Sequence, residues 1–403
     1  MSWKSIELAK VCEVFADGDW IESKDQSDIG IRLIQTGNVG FGIFKARDSK
    51  ARYINEETFK RLRCTEIKEG DLLVSRLPDP VGRACIIPQL VDKSITAVDC
   101  TIIRTKQEIL NSNYLNYYCQ SPQYFEQVKK NITGATRQRI SRSLLGKTLI
   151  PLAPIATQQK IVAKLNAIFA EIETATAAAE ANANNAEALF QSYLNEVFAS
   201  KENLTKLKDC TQIKPPKSEI KNLKGNTSVS FMPMESLGIN DKFTISKQTK
   251  DLENVSGSYT YFTEGDVLLA KITPCFENGK LGIASNLVNG IGFGSSEYIV
   301  FRPNKNIDKE WLYYFLNRES FRVLGSQHMS GSVGHKRVTK EFIEETLIPL
   351  IPVAKQKEFV GKIDNVFVQS QILKSASNTK IRELTLLKQS ILQKAFSGEL
   401  VKD

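Results

Sequence analysis

Two glycine-containing loops hold the side chains of this 403-residue chain that could recognise a nucleic acid. Residues 134–139 read GATRQR and residues 331–337 read GSVGHKR. Arginine can bond guanine and glutamine can bond adenine, whereas lysine and serine can hold phosphate oxygens. Ordinary solvated loops also carry such side chains, so composition alone leaves both interpretations open. The candidate residues are Thr136, Arg137, Gln138, Arg139, Ser332, His335, Lys336 and Arg337.

Other segments resemble catalytic motifs only in part. Residues 146–148 (GKT) end like a phosphate-binding loop, but Ser141 stands where that loop needs its first glycine. Residues 79–82 (DPVG) are partly similar to a methyltransferase motif, yet lack its second proline and its aromatic residue. Two histidines give little capacity for general-base chemistry. The chain is therefore not expected to be an enzyme, and a self-contained DNA-modifying enzyme is kept as an alternative.

The composition argues against metal, disulfide and membrane chemistry. The seven cysteines are scattered singly without a C-x-x-C pair, so reduced, buried thiols are expected and no zinc site or other cofactor is. No apolar run is long enough to cross a bilayer, and the first residues lack the apolar core of a secretory signal. A cytoplasmic location is expected. The net charge of +9 favours a polyanionic partner.

An internal repeat organises the chain. The string TLIPL at 148–152 returns at 346–350, an offset of 198 residues, and EGD at 69–71 returns at 264–266. A repeat of this length is far longer than a solenoid unit, so it indicates a duplicated pair of domains. Both glycine loops precede TLIPL at equivalent places. This duplication favours DNA contact over incidental charge.

The first part of each copy is predicted to be an α/β domain with a largely antiparallel sheet. Short β-type runs are broken by Gly, Pro, Asn and Asp, as in 71–74 and 267–270. Loops at strand ends often carry function on a rigid scaffold. Further DNA-binding candidates at such ends are therefore Arg76, Lys271 and Thr273, with residues 36–38 and 234–236 as weaker ones. Arg104 and Arg302 are interpreted as ordinary surface charges.

The second part of each copy is predicted to be one long helix. Pro154 and Pro352 stand near the helix starts, where proline is tolerated. From Ile161 and from Phe359, apolar positions alternate at spacings of four and three, which is a coiled-coil period. The two helices are expected to pair antiparallel, with the numbers of facing residues summing to 552. That register sets Ala179 against Leu373, Ala186 against Val366 and Asn182 against Ser370.

Several motifs together resemble the specificity subunits of Type I restriction–modification systems. They are TLIPLAPIATQQKIV at 148–162, TLIPLIPVAKQKEFV at 346–360, ILQKAFSGEL at 391–400 and the two EGD runs. Two variable domains, each followed by a long helix that opens with P-x-x-x-Q, complete the likeness. It covers essentially the whole chain.

The resemblance implies an α/β (α+β) fold with an internal pseudo-two-fold repeat. Two target-recognition domains with mixed or antiparallel sheets would be joined and spaced by two antiparallel coiled-coil helices. The expected divisions are 1–150 and 203–348 for the recognition domains, and 151–202 and 349–403 for the helices.

The resemblance also implies a function and partners. Each recognition domain would read one half of a bipartite double-stranded DNA site. Two methyltransferase subunits would dock on the helices, and ATP-dependent restriction subunits would join them. A scaffold that uses only the coiled coil and binds no DNA is the second alternative, and it leaves the duplicated basic loops without a purpose.

Overall fold

The structure is a computed structural model that describes residues 3–332 and 334–401. The chain divides into two compact units. Unit 1 comprises the residues up to Ala179 together with those from Thr379 onwards, and unit 2 comprises Glu180–Asn378. The four-part division expected from the sequence stays a prediction.

Unit 1 contains a four-stranded antiparallel sheet and a smaller mixed sheet. The larger sheet has the order β2-β8-β5-β6, and in the smaller one β3 pairs antiparallel with β4 and parallel with β7. β1 and β9 form a separate antiparallel pair. The strands are β1 (Lys4–Glu7), β2 (Cys12–Asp17), β3 (Ile31–Ile34), β4 (Tyr53–Ile54), β5 (Leu72–Ser75), β6 (Ala84–Ile86), β7 (Ser94–Thr96), β8 (Cys100–Thr105) and β9 (Leu149–Leu152).

The short helices of unit 1 begin at residues suited to capping. The side chains of Asn55, Asn111, Ser121 and Ser141 accept hydrogen bonds from the first free amides of the following helices. These helices are α1 (Glu56–Leu62), α2 (Ser112–Tyr118), α3 (Pro122–Lys130) and α4 (Arg142–Gly146). The long helix α5 (Ile155–Val197) begins in unit 1 and ends in unit 2.

Unit 2 repeats this plan with longer sheets. One sheet has the order β11-β19-β16-β17-β13 and the other β14-β12-β18-β15, while β10 pairs with β22 and β20 with β21. The strands are β10 (Leu204–Lys206), β11 (Thr211–Ile213), β12 (Ser228–Met232), β13 (Phe243–Ile245), β14 (Gln248–Asp251), β15 (Thr260–Thr263), β16 (Val267–Ala270), β17 (Leu281–Ser285), β18 (Ile291–Gly294), β19 (Tyr298–Pro303), β20 (Met329–Ser330), β21 (Arg337–Val338) and β22 (Leu347–Pro349).

The helices of unit 2 complete the repeat. They are α6 (Leu207–Cys210), α7 (Lys309–Asn317), α8 (Glu319–Gln327), α9 (Lys340–Glu345) and the long α10 (Val353–Ser397), which continues into unit 1. The predicted α/β class with mixed and antiparallel sheets and two long helices is therefore confirmed. In the described ranges, none of the helices has the length and apolarity that a bilayer crossing requires.

Segments of both long helices enter the core of each unit. In unit 1, the ring of Phe396 packs edge-on against Tyr114 and Tyr118, with centroids 5.1 and 5.0 Å apart. In unit 2, Phe198 just beyond α5 packs against Trp311 at 4.2 Å. Phe198 and Phe396 are equivalent in the sequence repeat, so the same aromatic contact closes both cores.

The long helices run antiparallel within each unit, but the predicted register is wrong. In unit 2, Phe190 packs on Phe367 at 5.1 Å and Glu187 pairs with Lys374 at 3.0 Å. The numbers of these pairs add up to 557 and 561 rather than 552. Leu373, which the predicted register placed in the seam, is 53% exposed. Asn182 is exposed although Ser370 is buried. Relative to the predicted register, each residue faces a partner five to nine positions farther along the other helix, a shift of roughly one and a half to two and a half turns.

The glutamine of each P-x-x-x-Q motif joins the start of a long helix to the rest of its unit. Gln158 is fully buried and accepts a 2.9 Å hydrogen bond from the backbone amide of Asn111, the residue that caps α2. Its amide nitrogen donates to the carbonyls of Ile109 and Ala153 at 2.9 and 2.8 Å. Gln356 makes the same three bonds in unit 2, to Asp308, Asn306 and Ile351.

Replacing Gln158 with methionine is expected to lower the free energy of unfolding by about 1–3 kcal/mol, because it leaves buried backbone groups without partners. Urea denaturation of the full chain measures this. Gln159 is exposed beside it, so Gln159→Met is the matched control and should unfold like the wild type. Equal stability of the two variants would show that the buried glutamine does not anchor the helix.

Candidate nucleic-acid interface

The first glycine loop forms the tip of a tight hairpin, residues 133–139, called hairpin 1. The backbones of Thr133 and Arg139 exchange two hydrogen bonds of 2.9 Å each. Gly134 has a φ of +93°, and a Cβ atom there would lie 2.4 Å from the carbonyl oxygen of Arg137, so the turn requires glycine. The candidates Thr136, Arg137, Gln138 and Arg139 are all exposed. The turn therefore presents them to solvent on a fixed base.

The second glycine loop forms the equivalent hairpin in unit 2, residues 329–338, called hairpin 2. β20 and β21 pair through Met329 with Val338 and Ser330 with Arg337. Gly331 and Gly334 have φ values of +123° and +83°. The candidates Ser332, His335, Lys336 and Arg337 are exposed. Val333 of this loop lies outside the described residues.

The strand-end candidates lie directly against the two hairpins. The carbonyl of Arg76 accepts a 3.2 Å hydrogen bond from the amide of Ile140, next to hairpin 1. In unit 2, the carbonyl of Lys271 accepts from Val338 at 3.0 Å, and the amide of Thr273 donates to Lys336 at 2.9 Å. Arg76 and Lys271 are thus equivalent, and the structure brings each together with the hairpin of its own unit.

The side chains of these strand-end residues are largely occupied within the protein. Arg76 is 14% exposed and its Nε lies 3.4 Å from Asp17. Lys271 donates to the carbonyl of Ser296 at 3.0 Å, and the hydroxyl of Thr273 donates to Glu277 at 2.8 Å. They are therefore better placed to support the hairpins than to reach a ligand.

An acidic residue faces each hairpin, which the sequence analysis missed. Asp99 lies 3.8 Å from the guanidinium of Arg137. Its repeat equivalent Glu297 receives two hydrogen bonds of 2.9 and 2.8 Å from Arg337, which hold the pKa of Glu297 below its usual range. Arg337 is therefore anchored, whereas Arg137 is 74% exposed and paired only loosely. The sequence does carry a signal for these acids, because Asp99 and Glu297 are separated by 198 residues, the offset of the repeat.

The weaker candidates at 36–38 and 234–236 form short 3-10 turns at equivalent places. Asn38 is buried and donates to the carbonyls of Lys45 and Ala46 at 2.8 and 3.0 Å. A buried arginine, Arg83, donates to the carbonyls of Thr36 and Leu77 at 2.8 and 2.7 Å. This arginine therefore ties the turn at 36–38 to the strand end that carries Arg76.

The interpretation of Arg104 and Arg302 as ordinary surface charges is wrong. Arg104 makes two hydrogen bonds of 2.8 and 2.7 Å to Asp71, the aspartate of the first EGD run, which is 1% exposed. Arg302 does the same with Asp266 at 2.9 and 2.8 Å. The first pair links the start of β5 to the neighbouring strand β8, and the second links the start of β16 to β19. The EGD motif therefore has a structural role.

Comparison with known proteins gives matches across the whole chain. The family model described as Type I restriction modification DNA specificity domain matches residues 1–182 and 195–383. The specificity subunit of the Type I restriction enzyme EcoAI from Escherichia coli is 32% identical over 176 residues, which is 43% of this chain and 30% of that subunit. The chain thus spans about a third of that relative's length.

Two solved structures share the fold. One is a chain from a study of complex assembly and conformational transition in a type I R-M system, with a TM-score of 0.77, 21% identity, and coverage of 99% of this chain and 98% of that one. The other is the HsdS subunit from Thermoanaerobacter tengcongensis, with a TM-score of 0.59, 21% identity, and coverage of 99% and 97%.

Proposed function

This chain belongs to the Type I restriction modification DNA specificity domain family, and from that membership we propose that it selects a bipartite DNA site for a modification complex. Unit 1 reads one half of the site and unit 2 the other. The chain itself performs no chemistry and holds no cofactor. Its side chains choose the sequence, while partner subunits modify the DNA.

The duplicated hairpins carry this proposal. Hairpin 1 and hairpin 2 occupy equivalent places, and each presents exposed basic side chains, with the amide of Gln138 in hairpin 1, on a backbone that is bonded to a strand end. A base-reading element needs such side chains on a rigid support, because hydrogen bonds to base edges are directional. Incidental charged loops would not be expected to form backbone hydrogen bonds with equivalent strand ends in both units.

The partners follow from the family resemblance. We propose two methyltransferase subunits on the long helices, joined by ATP-dependent restriction subunits, in the cytoplasm. The methyltransferases would supply the methyl donor and would turn the target adenine out of the duplex. The exposed apolar residues of the long helices, such as Ile372 and Leu386, agree with a surface that a partner covers.

Co-expression with the neighbouring methyltransferase, followed by sequencing of the host DNA for N6-methyladenine, tests the function. A split motif with one methylated adenine in each half is expected. Exchanging residues 1–150 for a recognition domain of different specificity should change one half of the motif only. Exchanging 203–348 should change the other half, and this reciprocal variant is the matched control.

Three outcomes would contradict the proposal. A stable complex that produces no new methylation motif would leave an inactive member of the family. Failure to form any complex would favour the scaffold alternative. An exchange of 1–150 that alters both halves of the motif would show that the units do not read DNA independently.

A further inference from the structure

A basic pocket opens in unit 1 apart from hairpin 1. It is an open cavity of about 400 Å³ lined by Gln35, Asn38, Arg47, Lys50, Ala51 and Arg52. Three of these six residues carry a positive charge and none is acidic. The volume falls within the range of small-ligand sites, about 300–1,000 Å³. We refer to these six residues as the basic pocket.

The backbone that carries the basic side chains is held in place. Arg47 has a φ of +53°, a conformation that costs energy for a residue other than glycine. Asn38 donates to the carbonyls of Lys45 and Ala46 just before it. Asp48, just after it, accepts a 2.7 Å hydrogen bond from Arg32. That pairing engages the acid in this segment, which leaves the basic side chains to face the cavity.

Gly37 makes room for the guanidinium of Arg47. A Cβ atom at Gly37 would lie 1.8 Å from Nη1 of Arg47, so a side chain there would displace it. The repeat equivalent of Gly37 in unit 2 is Glu235. The glycine thus belongs to the pocket rather than to the shared fold.

The segment that forms the pocket is more basic in unit 1 than in unit 2. Residues 39–52 contain four basic residues and one acid, a net charge of +3, whereas residues 237–247 contain two basic residues and one acid, a net charge of +1. Of the latter, Lys242 is bound to Glu310 and Asp364 at 2.6 Å each. The excess of basic residues in this segment is therefore larger in unit 1 than in unit 2.

A series of hydrogen bonds connects the surroundings of the basic pocket with the base of hairpin 1. Arg83 bonds the carbonyl of Thr36, beside the pocket, and the carbonyl of Leu77, next to Arg76. The backbone of Arg76 in turn bonds Ile140 at the base of hairpin 1. DNA held by hairpin 1 would therefore pass close to the pocket.

We infer that the basic pocket binds a backbone phosphate of DNA flanking the half-site of unit 1. The inference rests on the proposed function, because it needs DNA on hairpin 1. Arginine and lysine side chains are the usual partners of phosphate oxygens, and an arginine fork matches two of them. Unit 2 lacks this particular contact, because Glu235 stands at the position equivalent to Gly37 and a carboxylate repels phosphate.

The salt dependence of DNA binding tests the inference on the assembled complex. The double variant Arg47→Gln/Arg52→Gln should lower affinity for site DNA roughly tenfold and reduce the slope of log K against log salt by about 0.9 for each phosphate lost. Gly37→Ala keeps every charge but displaces the guanidinium, so it should weaken binding in the same direction. The control is Lys10→Gln/Lys106→Gln. Lys10 lies just before β2 and Lys106 just after β8, at the strand ends opposite to hairpin 1, so loss of these two charges should leave the slope unchanged.

Neutral methylphosphonate linkages, placed singly along the flanks of the site, locate the contact. One or two positions beside the half-site of unit 1 should weaken wild-type binding several-fold and leave the Arg47→Gln/Arg52→Gln variant no weaker than before. The corresponding positions beside the other half-site should have no such effect. If each neutral linkage lowers the DNA affinity of wild type and variant equally, or if the salt slope of the variant is unchanged, the inference that the basic pocket binds a phosphate is wrong.

The outcomes separate this inference from the proposed function. Normal methylation of a bipartite site with no effect of the pocket variants overturns the pocket and leaves the function standing. A wild-type complex without any bipartite site overturns the function, and the pocket with it. Saturable binding of inorganic phosphate that Arg47→Gln removes, with unchanged DNA binding, would assign the pocket to a free phosphate and overturn the DNA contact.

Discussion

Asp71→Ala is expected to lower the free energy of unfolding by about 3–5 kcal/mol, the usual cost of removing one partner of a buried ion pair. Asp71 is 1% exposed and accepts two hydrogen bonds from Arg104 and a 2.8 Å bond from the amide of Lys68. Without the carboxylate, the guanidinium of Arg104 has no counter-charge, and water cannot fully solvate it because the side chain is only 22% exposed. Denaturation of the full chain, followed by tryptophan fluorescence or circular dichroism, measures the loss.

The second copy of the pair supplies an internal comparison. Arg302 is bound by Glu219 at 2.6 Å as well as by Asp266, so Asp266→Ala leaves it one carboxylate and should destabilise the chain less. The exposed Asp92 is the surface control, and Asp92→Ala should have almost no effect. The double change Asp71→Ala/Arg104→Leu should recover part of the loss, since no charge is left unpaired. A larger cost at Asp266 than at Asp71 would contradict this account.

Replacing Arg137, Gln138 and Arg139 of hairpin 1 with alanine is expected to weaken specific DNA binding by the complex by about 10²–10⁴-fold. Each lost base contact removes about 1–3 kcal/mol of discrimination, and three changes bring affinity towards that for unrelated DNA. Competition between cognate DNA and DNA altered in one half-site measures the effect. The variant should stop distinguishing bases in the half read by unit 1 and should still distinguish them in the other half.

Two further variants show whether geometry or charge is responsible. Gly134→Ala keeps every charge of hairpin 1 but strains a backbone with a φ of +93° and crowds the carbonyl of Arg137, so specificity should fall. Lys10→Ala, in the 3-10 turn before β2, is the control and should preserve discrimination. If the triple variant loses affinity equally for all DNA sequences, the three replaced side chains contact phosphates rather than bases in the wild type.

Much of the fold follows from the sequence repeat. The two EGD runs precede β5 and β16, and the heptad spacing from Ile161 and Phe359 lies in α5 and α10. Both features are local or strictly repeated, so they can be read along the chain. The glycine loops likewise occupy hairpins because Gly134 and Gly331 need positive φ values.

Features that depend on distant partners escaped the sequence analysis. Arg104 lies 33 residues from Asp71, and nothing near either residue indicates the pair. The helix register depends on Phe190 meeting Phe367, and a rule that sets small residues against large ones cannot weigh that contact. The support of hairpin 2 by Glu297 also arises only when β19 folds beside β16. These contacts join elements whose meeting the tertiary fold decides.

The division of the chain into units is expected to delay the folding of unit 1 on the ribosome. Domains generally fold as they emerge, the N-terminal one first, at about 5–20 residues per second. Unit 2 is continuous over Glu180–Asn378, whereas unit 1 needs Leu392, Ala395 and Phe396 in its core. Synthesis of the roughly 200 intervening residues takes about 10–40 s at that speed. During that time Tyr114 and Tyr118 of unit 1 lack the residues that cover them. Unit 2 can therefore complete its folding before unit 1 does.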